Sequence, residues 1–519
     1  MCLQQKREVN FLMSDTKKLS RRAVISAGAA AGLALPFSAN AAPRPMPEVW
    51  DEEVDVVIIG TGFAGLSAAY EATKAGASVA LLEKMPTPGG NSIINGGYLS
   101  VVGTPRQADQ GIEDSADLLY QDMLRAGLGL NHVPLARTLA DHSTDLLEWT
   151  LDEIKVEFGG MTQLGGHSVP RSYTTLAGSG SGIVVPLLER LTEMGVKPRT
   201  RTLLKHVIRD EDGRVKGVEV HEKYRFPDAD SGAPKAIKAR KGVILATGGF
   251  GNDPDFRRLQ DPRLTDDLDT TNQPGATAEA MREGLNIGCV SIQPSWIQLG
   301  PWASPDERGF GVAPSFVIGV SAINGLLIDT QTGLRIANEL GDRKTRADAI
   351  IASGNKAIVF CDKPGMDKAA ESPTVSVKRL FDAGVMQEFA TLEDLAAGYG
   401  IPVNALQQTI EGFNAAVDAG VDKQHGRRMR KGQLKTGKAP YFAVRVAPKI
   451  HHCMGGLGIN ENAEALDVMN GAAIPGLYVA GEAAGGVHGA SRLGSCAISD
   501  CLVFGRIAGQ NAAAADSWS

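Results

Sequence analysis

At 519 residues the chain is long enough for roughly two or three domains with sizeable cores, which excludes a mini-protein held together by staples. Lys and Arg number 53 against 59 Asp and Glu, a net charge of -6 with no basic stripe, which argues against a nucleic-acid binder. Glycine fills 61 positions without a collagen-like period, so its excess over the usual share marks turns where backbone approaches a ligand.

The first 41 residues are basic, with Lys6, Arg7, Lys17, Lys18, Arg21 and Arg22 against Glu8 and Asp15. Ser20-Arg21-Arg22-Ala23, an Ala/Gly-rich stretch to Leu35, and Ala39-Asn40-Ala41 before Pro43 read as a twin-arginine export signal over residues 1–41, with Met13 an alternative start. Its apolar part is too short and too rich in small residues for a stable membrane span. The export machinery is then one partner and the periplasm the destination. Cys2 would leave with the signal, and Cys289, Cys361, Cys453, Cys496 and Cys501 show no framework spacing, so no structural disulfide is expected.

After a proline-rich joint at Pro43–Pro47, Val54 to Ile59 is β-branched and almost wholly apolar, the pattern of a strand buried on both faces. Gly60-Thr61-Gly62-Phe63-Ala64-Gly65 follows, then a helical pattern from Leu66 to Ala75, a turn at Gly76, and a second strand, Ser78 to Leu82, closing on Glu83. Strand, glycine loop, helix, strand and acidic residue together form a dinucleotide-binding βαβ unit. Gly60 allows the tight turn, Gly62 lets backbone reach a pyrophosphate, Gly65 permits close helix packing, and Glu83 is placed to accept from a ribose hydroxyl.

A second glycine-dense loop, Pro88-Gly89-Gly90-Asn91-Ser92 and Asn95-Gly96-Gly97, comes soon after Glu83 and Lys84. Val243 to Phe250, containing Ala246-Thr247-Gly248, reads as another buried strand entering a glycine turn, and Gly476-Leu477-Tyr478-Val479-Ala480-Gly481-Glu482 repeats that form. A nicotinamide enzyme needs only the first unit. Together with Gly165-Gly166-His167-Ser168, Asn338-Glu339 before Arg343, His451-His452-Cys453-Met454-Gly455-Gly456 and Gly485 to Gly494, the series resembles the fumarate reductase and succinate dehydrogenase flavoprotein family. It is most similar to the soluble periplasmic flavocytochrome c fumarate reductases and urocanate reductases.

The resemblance implies an α/β fold: a discontinuous Rossmann-like FAD-binding domain, residues 48–294 and 446–515, with an inserted α+β capping domain at 295–445. Leu395-Ala396 and the amphipathic run Val403 to Val417 give the cap its helical character. FAD would be held by Gly60, Gly62, Phe63, Ala64, Gly65, Glu83, Lys84, Gly89, Gly90, Asn91, Ser92, Gly96, Gly97, Ala246, Thr247, Gly248, Gly481 and Glu482. Ala497, Ile498 and Ser499 would face the isoalloxazine from a helix N-terminus. Membrane succinate dehydrogenases attach flavin to a histidine near the second glycine loop, and Pro88 to Gly97 contains none, so FAD is expected to be non-covalent. The family's usual Gly-Asp-Gly is replaced by Pro274-Gly275-Ala276-Thr277.

By the same likeness Arg492, His451 and His452 would anchor a substrate carboxylate, with Gly166 beside it, and Arg343 would be the proton donor. Arg346 is the rival donor, and the sequence does not say which histidine acts. The family's Thr-Glu pair and relay arginine fall on Ile318, Gly319 and Ala322, leaving water or Asp342 to bring protons to Arg343. The histidine-proline-threonine that grips a second carboxylate appears as Gly300-Pro301-Trp302, an apolar wall expected to open room. These departures point to an ene-reductase of conjugated monocarboxylates or related carbonyls bearing an apolar or aryl group, with fumarate poor. No Cys-x-x-Cys-His occurs, so a separate c-type cytochrome or quinol-linked partner would deliver electrons. Two other readings use the same FAD segments. One is a 3-ketosteroid Δ1-dehydrogenase-like enzyme relying on tyrosines such as Tyr173, and the other is a flavin electron carrier without its own substrate.

Overall fold

The computed structural model describes residues 46–518 apart from 373 and 431, so the proposed export signal lies outside the described residues. The first βαβ unit forms as its pattern demands, with β1 at Glu52–Ile59, α1 at Phe63–Lys74 and β2 at Val79–Leu82. A long strand, β3 (Ala233–Leu245), then lies parallel to β1 on its other side, with Val57 opposite Val243 and Ile58 opposite Ile244. Val56, Val57 and Ile58 are fully buried, which is why the run contains no polar alternation after Asp55.

The chain then leaves this sheet. β4 (Ile297–Gly300) and α2 (Ala313–Ser321) lead into β5 (Leu326–Asp329), α3 (Arg343–Ala352), β6 (Ala357–Asp362), β7 (Met386–Phe389) and β8 (Tyr441–Val446). The last four strands form a separate antiparallel sheet in the order β5-β6-β8-β7. Both faces of that sheet are covered. Val359 and Cys361 of β6 pack with Phe316 and Val320 of α2, whereas Ile358 and Phe360 face Leu395, Leu406 and Phe413. Leu395 and Phe413 belong to helices Leu392–Tyr399 and Val403–Ala419, where the sequence calls for helix.

β9 (Lys449–Cys453) and β10 (Ala473–Val479) return to the first body, and α4 (Cys496–Ala514) ends the chain's regular structure. β10 adds to β3 in parallel, giving the order β10-β3-β1-β2 within a seven-stranded mixed sheet. β9 pairs antiparallel with β4, so the segment entering the inserted body and the one leaving it are stitched together. Cys289, Cys361, Cys453, Cys496 and Cys501 are all free thiols. Among the described residues no helix is long and apolar enough to cross a membrane.

Candidate active site

Two cavities of about 900 and 880 Å³ meet along Phe63, Asn91, Ser92, Glu482 and Cys501. The first runs over the N-terminus of α1. Gly60 has φ +105°, and a Cβ there would stand 2.2 Å from the Ala246 carbonyl oxygen, so only glycine brings β1 this close to the end of β3. Gly62 at the N-cap offers α1 no side chain and the first turn has no acidic residue, so apart from the Phe63 N–H, which donates to Ser92 Oγ at 2.9 Å, the backbone N–H groups and the positive end of the helix face the cavity. That is a fitting seat for a dinucleotide pyrophosphate.

Glu83 lines the same cavity, its carboxylate held by Thr61 Oγ1 at 2.5 Å and by the Met85 backbone N–H at 2.8 Å. Lys84 is there too, bonded to Thr277 and paired with Glu279 at 3.1 Å. Gly62, Phe63, Ala64, Gly90, Ala246, Thr247 and Gly248 also line it. Gly275, Ala276 and Thr277 belong to it as well, so the segment that departs from Gly-Asp-Gly still reaches this surface. Gly65, Gly89, Gly97 and Gly481 line neither cavity. A Cβ on Gly65 would meet the Gly60 carbonyl and one on Gly481 would meet Cys501, so these glycines set backbone spacing.

The second cavity holds the cationic groups. Arg343 at the start of α3 and Arg492 in the loop before α4 both line it, and neither has a carboxylate partner among the described residues. Gln298 joins them. Its Oε1 accepts from Arg343 Nη1 at 2.9 Å, while its Nε2 donates to Ser491 Oγ and the Arg492 carbonyl, each at 2.9 Å. Burial, then the charges of Arg492 and Arg346, push the Arg343 guanidinium well below its ordinary value, and burial lowers Arg492 also.

Both neighbouring histidines reach this cavity, although adjacent strand residues ordinarily point to opposite faces. The cause is a β-bulge. His452 stands opposite Gln298 and Ile450 opposite Leu299, so His451 is the extra residue in β9. His451 Nε2 lies 3.2 Å from Arg492 Nη2, and an arginine can only donate, so Nε2 accepts and Nδ1–H donates to Thr271 Oγ1 at 2.8 Å. Burial first, and Arg343 and Arg492 next, hold His451 well below the usual histidine range, in its neutral form. His452 is pushed down to about 4, chiefly by burial. Its Nδ1 is 3.4 Å from Glu482 Oε2, and its Nε2 is buried without a partner.

The opposite wall corrects one expectation. It is apolar, but it is not small. The Trp302 indole is buried, edge-on to His451 with ring centres 4.6 Å apart, 5.8 Å from Phe310, and with the Arg343 guanidinium over it at 5.6 Å. A Cβ on Gly300 would stand 2.8 Å from that indole, so the glycine and the tryptophan are a matched pair. Ile318 lines the same wall, in the place of the missing relay.

Ala497 and Ile498 face the second cavity, as does Gly96. Ser499 does not, because its hydroxyl donates to the Ser100 carbonyl at 2.6 Å on the other side of α4. Gly166 lies outside the lining, which Leu164 supplies instead. Arg346 lies behind Arg343 and donates to the Glu339 carbonyl at 2.7 Å. Asp342 does not reach the cavity, since its carboxylate caps α3 by accepting from Thr345 N–H at 2.9 Å. Tyr173 is turned away, its hydroxyl 2.6 Å from Thr104 Oγ1. Sequence reasoning missed Gln298, Thr271, Tyr98 and Phe310. Only Gln298 carries a signal, as a lone amide inside the apolar strand Ile297–Leu299.

Residues 55–498 match the family described as FAD binding domain. The acrylate reductase flavoprotein subunit of Shewanella woodyi is 43% identical over 503 residues, covering 96% of this chain and 99% of that protein. The fumarate reductase (cytochrome) of Shewanella frigidimarina is 33% identical, over 89% of this chain and 77% of that protein. The chain belongs to the FAD-binding flavoprotein family of fumarate and acrylate reductases. It is an FAD-dependent oxidoreductase acting on carbon–carbon double bonds. The open conformation of a flavocytochrome c3 fumarate reductase shares its fold, with a TM-score of 0.70 and 33% identity over 89% of this chain and 78% of that one.

Proposed function

We propose that this flavoprotein reduces an α,β-unsaturated monocarboxylate whose other end is apolar. The observation that carries the reading is the second cavity. Arg343 and Arg492 are its cations, both lack carboxylate partners among the described residues, and the wall beyond them is Trp302, Phe310 and Ile318. A carboxylate against the guanidinium of Arg492, which His451 holds in place, would supply the missing counter-charge. A second carboxylate would be buried against the indole and alkyl surface of Trp302, Phe310 and Ile318, where the one cation in reach is Arg343, needed as the acid, and that burial costs several kcal/mol. The relative named an acrylate reductase flavoprotein subunit is 43% identical to this chain, against 33% for the Shewanella frigidimarina fumarate reductase (cytochrome).

When bound and reduced, FAD would supply the hydride for one alkene carbon. Glycine turns at Gly60 to Phe63 and the end of α1 would hold its phosphates, Glu83 its ribose, and Ala497 and Ile498 would face its ring system. No histidine lies between Pro88 and Gly97, which favours non-covalent binding. Arg343 holds the proton for the other carbon. Free guanidinium is a poor acid, but burial beside two further cations makes loss of its proton easier. Neutral His451, fixed by Thr271, accepts from Arg492 and so holds the anchor in one orientation. The body spanning residues 295–445 acts as a cap that excludes water above the substrate.

Electrons arrive from a separate cytochrome or quinol-linked protein outside the cytoplasm, after twin-arginine export. The word subunit in the name of the Shewanella woodyi relative supports a separate donor. The deciding experiment is anaerobic turnover with reduced viologen over a panel of acrylate, methacrylate, aryl acrylates, urocanate and fumarate. Monocarboxylates should exceed fumarate in kcat/KM by about a hundredfold or more. Fumarate turning over as fast as the monocarboxylates would overturn the reading.

A further inference from the structure

Arg343 must recover a proton after each turnover, and the element expected to return it is apolar here, with Ile318 and Ala322 on α2 and its C-terminal edge. On the far side of Arg343 lies a third cavity, smaller than the two described. It is bounded by Arg343, Arg346, Glu339, Ser321 and Gln163, and it shares Leu164, Trp302 and Ile318 with the substrate cavity. It has room for water molecules and polar groups to hold them. Arg343 therefore stands as the wall between the two spaces, facing substrate on one side and this chamber on the other.

Arg346 is one turn along α3 from Arg343, on the same face of the helix. It is buried, it has no carboxylate partner among the described residues, and it is tied down by a single bond to the Glu339 carbonyl. The nearby Glu339 carboxylate is already taken by Arg335 and Arg427. We propose that Arg346, acting through water in this chamber, returns the proton to Arg343. The balance is simple. Arg343 gives a proton to the substrate carbon and becomes a neutral guanidine, a chamber water protonates it, Arg346 protonates that water, and solvent reprotonates Arg346 past the partly exposed Gly165, Leu340 and Gly341. Burial lowers the Arg346 guanidinium to about 10, opposed by Glu339 and Asp342, which brings it nearer to exchange with water than an ordinary arginine.

The inference rests on Arg343 being the acid. The test uses FAD-loaded enzyme, reduced viologen and the alkene that the wild type reduces fastest. Arg346→Met should lower kcat by about tenfold or more, raise the solvent deuterium isotope effect on kcat, and leave KM and FAD content unchanged, while Arg346→Lys restores most of the rate. Ser321→Leu, which fills the chamber and removes no charge, should lower kcat in the same way. The alkaline limb of the pH profile should move to higher pH in Arg346→Met, because one of the charges that lowers Arg343 is gone, with Glu339, Asp342 and Arg343 the other charged groups facing that position. Wild-type kcat and isotope effect in both Arg346→Met and Ser321→Leu would overturn the relay alone. Wild-type turnover in Arg343→Ala would overturn the reading of the site and the relay with it.

Discussion

Two sets of buried guanidinium groups lie close together, and the fold treats them oppositely. Arg335 is bonded to Glu339 at 2.9 and 2.7 Å and to Asp422 at 2.9 Å, and Arg427 reaches Glu339 at 3.2 Å and the Gly325 carbonyl at 2.8 Å. Arg343, eight residues beyond Arg335, has an amide oxygen and an indole face for company. Arg492 has a histidine nitrogen and a carbonyl. A paired buried charge holds structure together. An unpaired one leaves electrostatic demand for a ligand to satisfy, and it raises the energy of the protein that waits for it.

The contrast breaks if the two sets respond alike to neutral replacement. Arg343→Ala should cut kcat by about 10²–10⁴-fold with FAD retained and the melting temperature unchanged or raised, because a costly charge is removed. Arg335→Met should do the reverse. It strips Asp422 of its guanidinium, leaves Glu339 with Arg427 alone, and should cost about 3–5 kcal/mol of stability by denaturant titration, while the folded fraction keeps its KM. Equal loss of stability in both variants would show that Arg343 is as structural as Arg335.

Sequence patterns that act over short distances carried most of the dinucleotide end of the site. The run Val54 to Ile59, the glycines that follow it and Glu83 are neighbours in the chain, and β-branching, φ > 0 and helix-end electrostatics act locally. Arg492 was placed by its likeness to the family's carboxylate anchor within the glycine-rich run Gly485 to Gly494. The substrate end is different. His451 is fixed by Thr271, Arg343 by Gln298, and the bulge that turns both histidines inward depends on how β9 meets β4. None of these has a local period or spacing. The role of Trp302 was misjudged for the same reason, since an indole in a list of residues says nothing of whether it fills a pocket or leaves one.

The comparison sharpens with pH, because the histidines between the two arginines are held neutral. An unfolded histidine titrates near 6.5 and His452 near 4, so on acidification the unfolded state takes up the proton first. Stability is then constant above about pH 6.5, falls as pH drops towards 4, and levels off below it. By pH 5 the His452 share of the loss is about 2 kcal/mol, read as a falling melting temperature of the FAD-loaded protein. Glu482, Arg492 and His488 are the charged or titratable groups facing it, and His451 shifts in the same direction. His452→Asn should therefore flatten part of the slope. A wild-type slope in that variant would place the titration elsewhere.

The smallest effect is expected one bond further out. Thr271 touches neither arginine, yet its hydroxyl accepts from His451 Nδ1–H and so keeps Nε2 free to receive Arg492. Thr271→Val preserves shape and removes the acceptor, leaving the imidazole free to exchange its proton between nitrogens. In the wrong tautomer Nε2–H points at a guanidinium that can only donate. The loss should be about 1 kcal/mol of anchoring, a several-fold rise in KM for the carboxylate substrate with kcat nearly unchanged. A rise in KM of the same size for an uncharged enone would show that Thr271 shapes the cavity rather than orienting the carboxylate clamp.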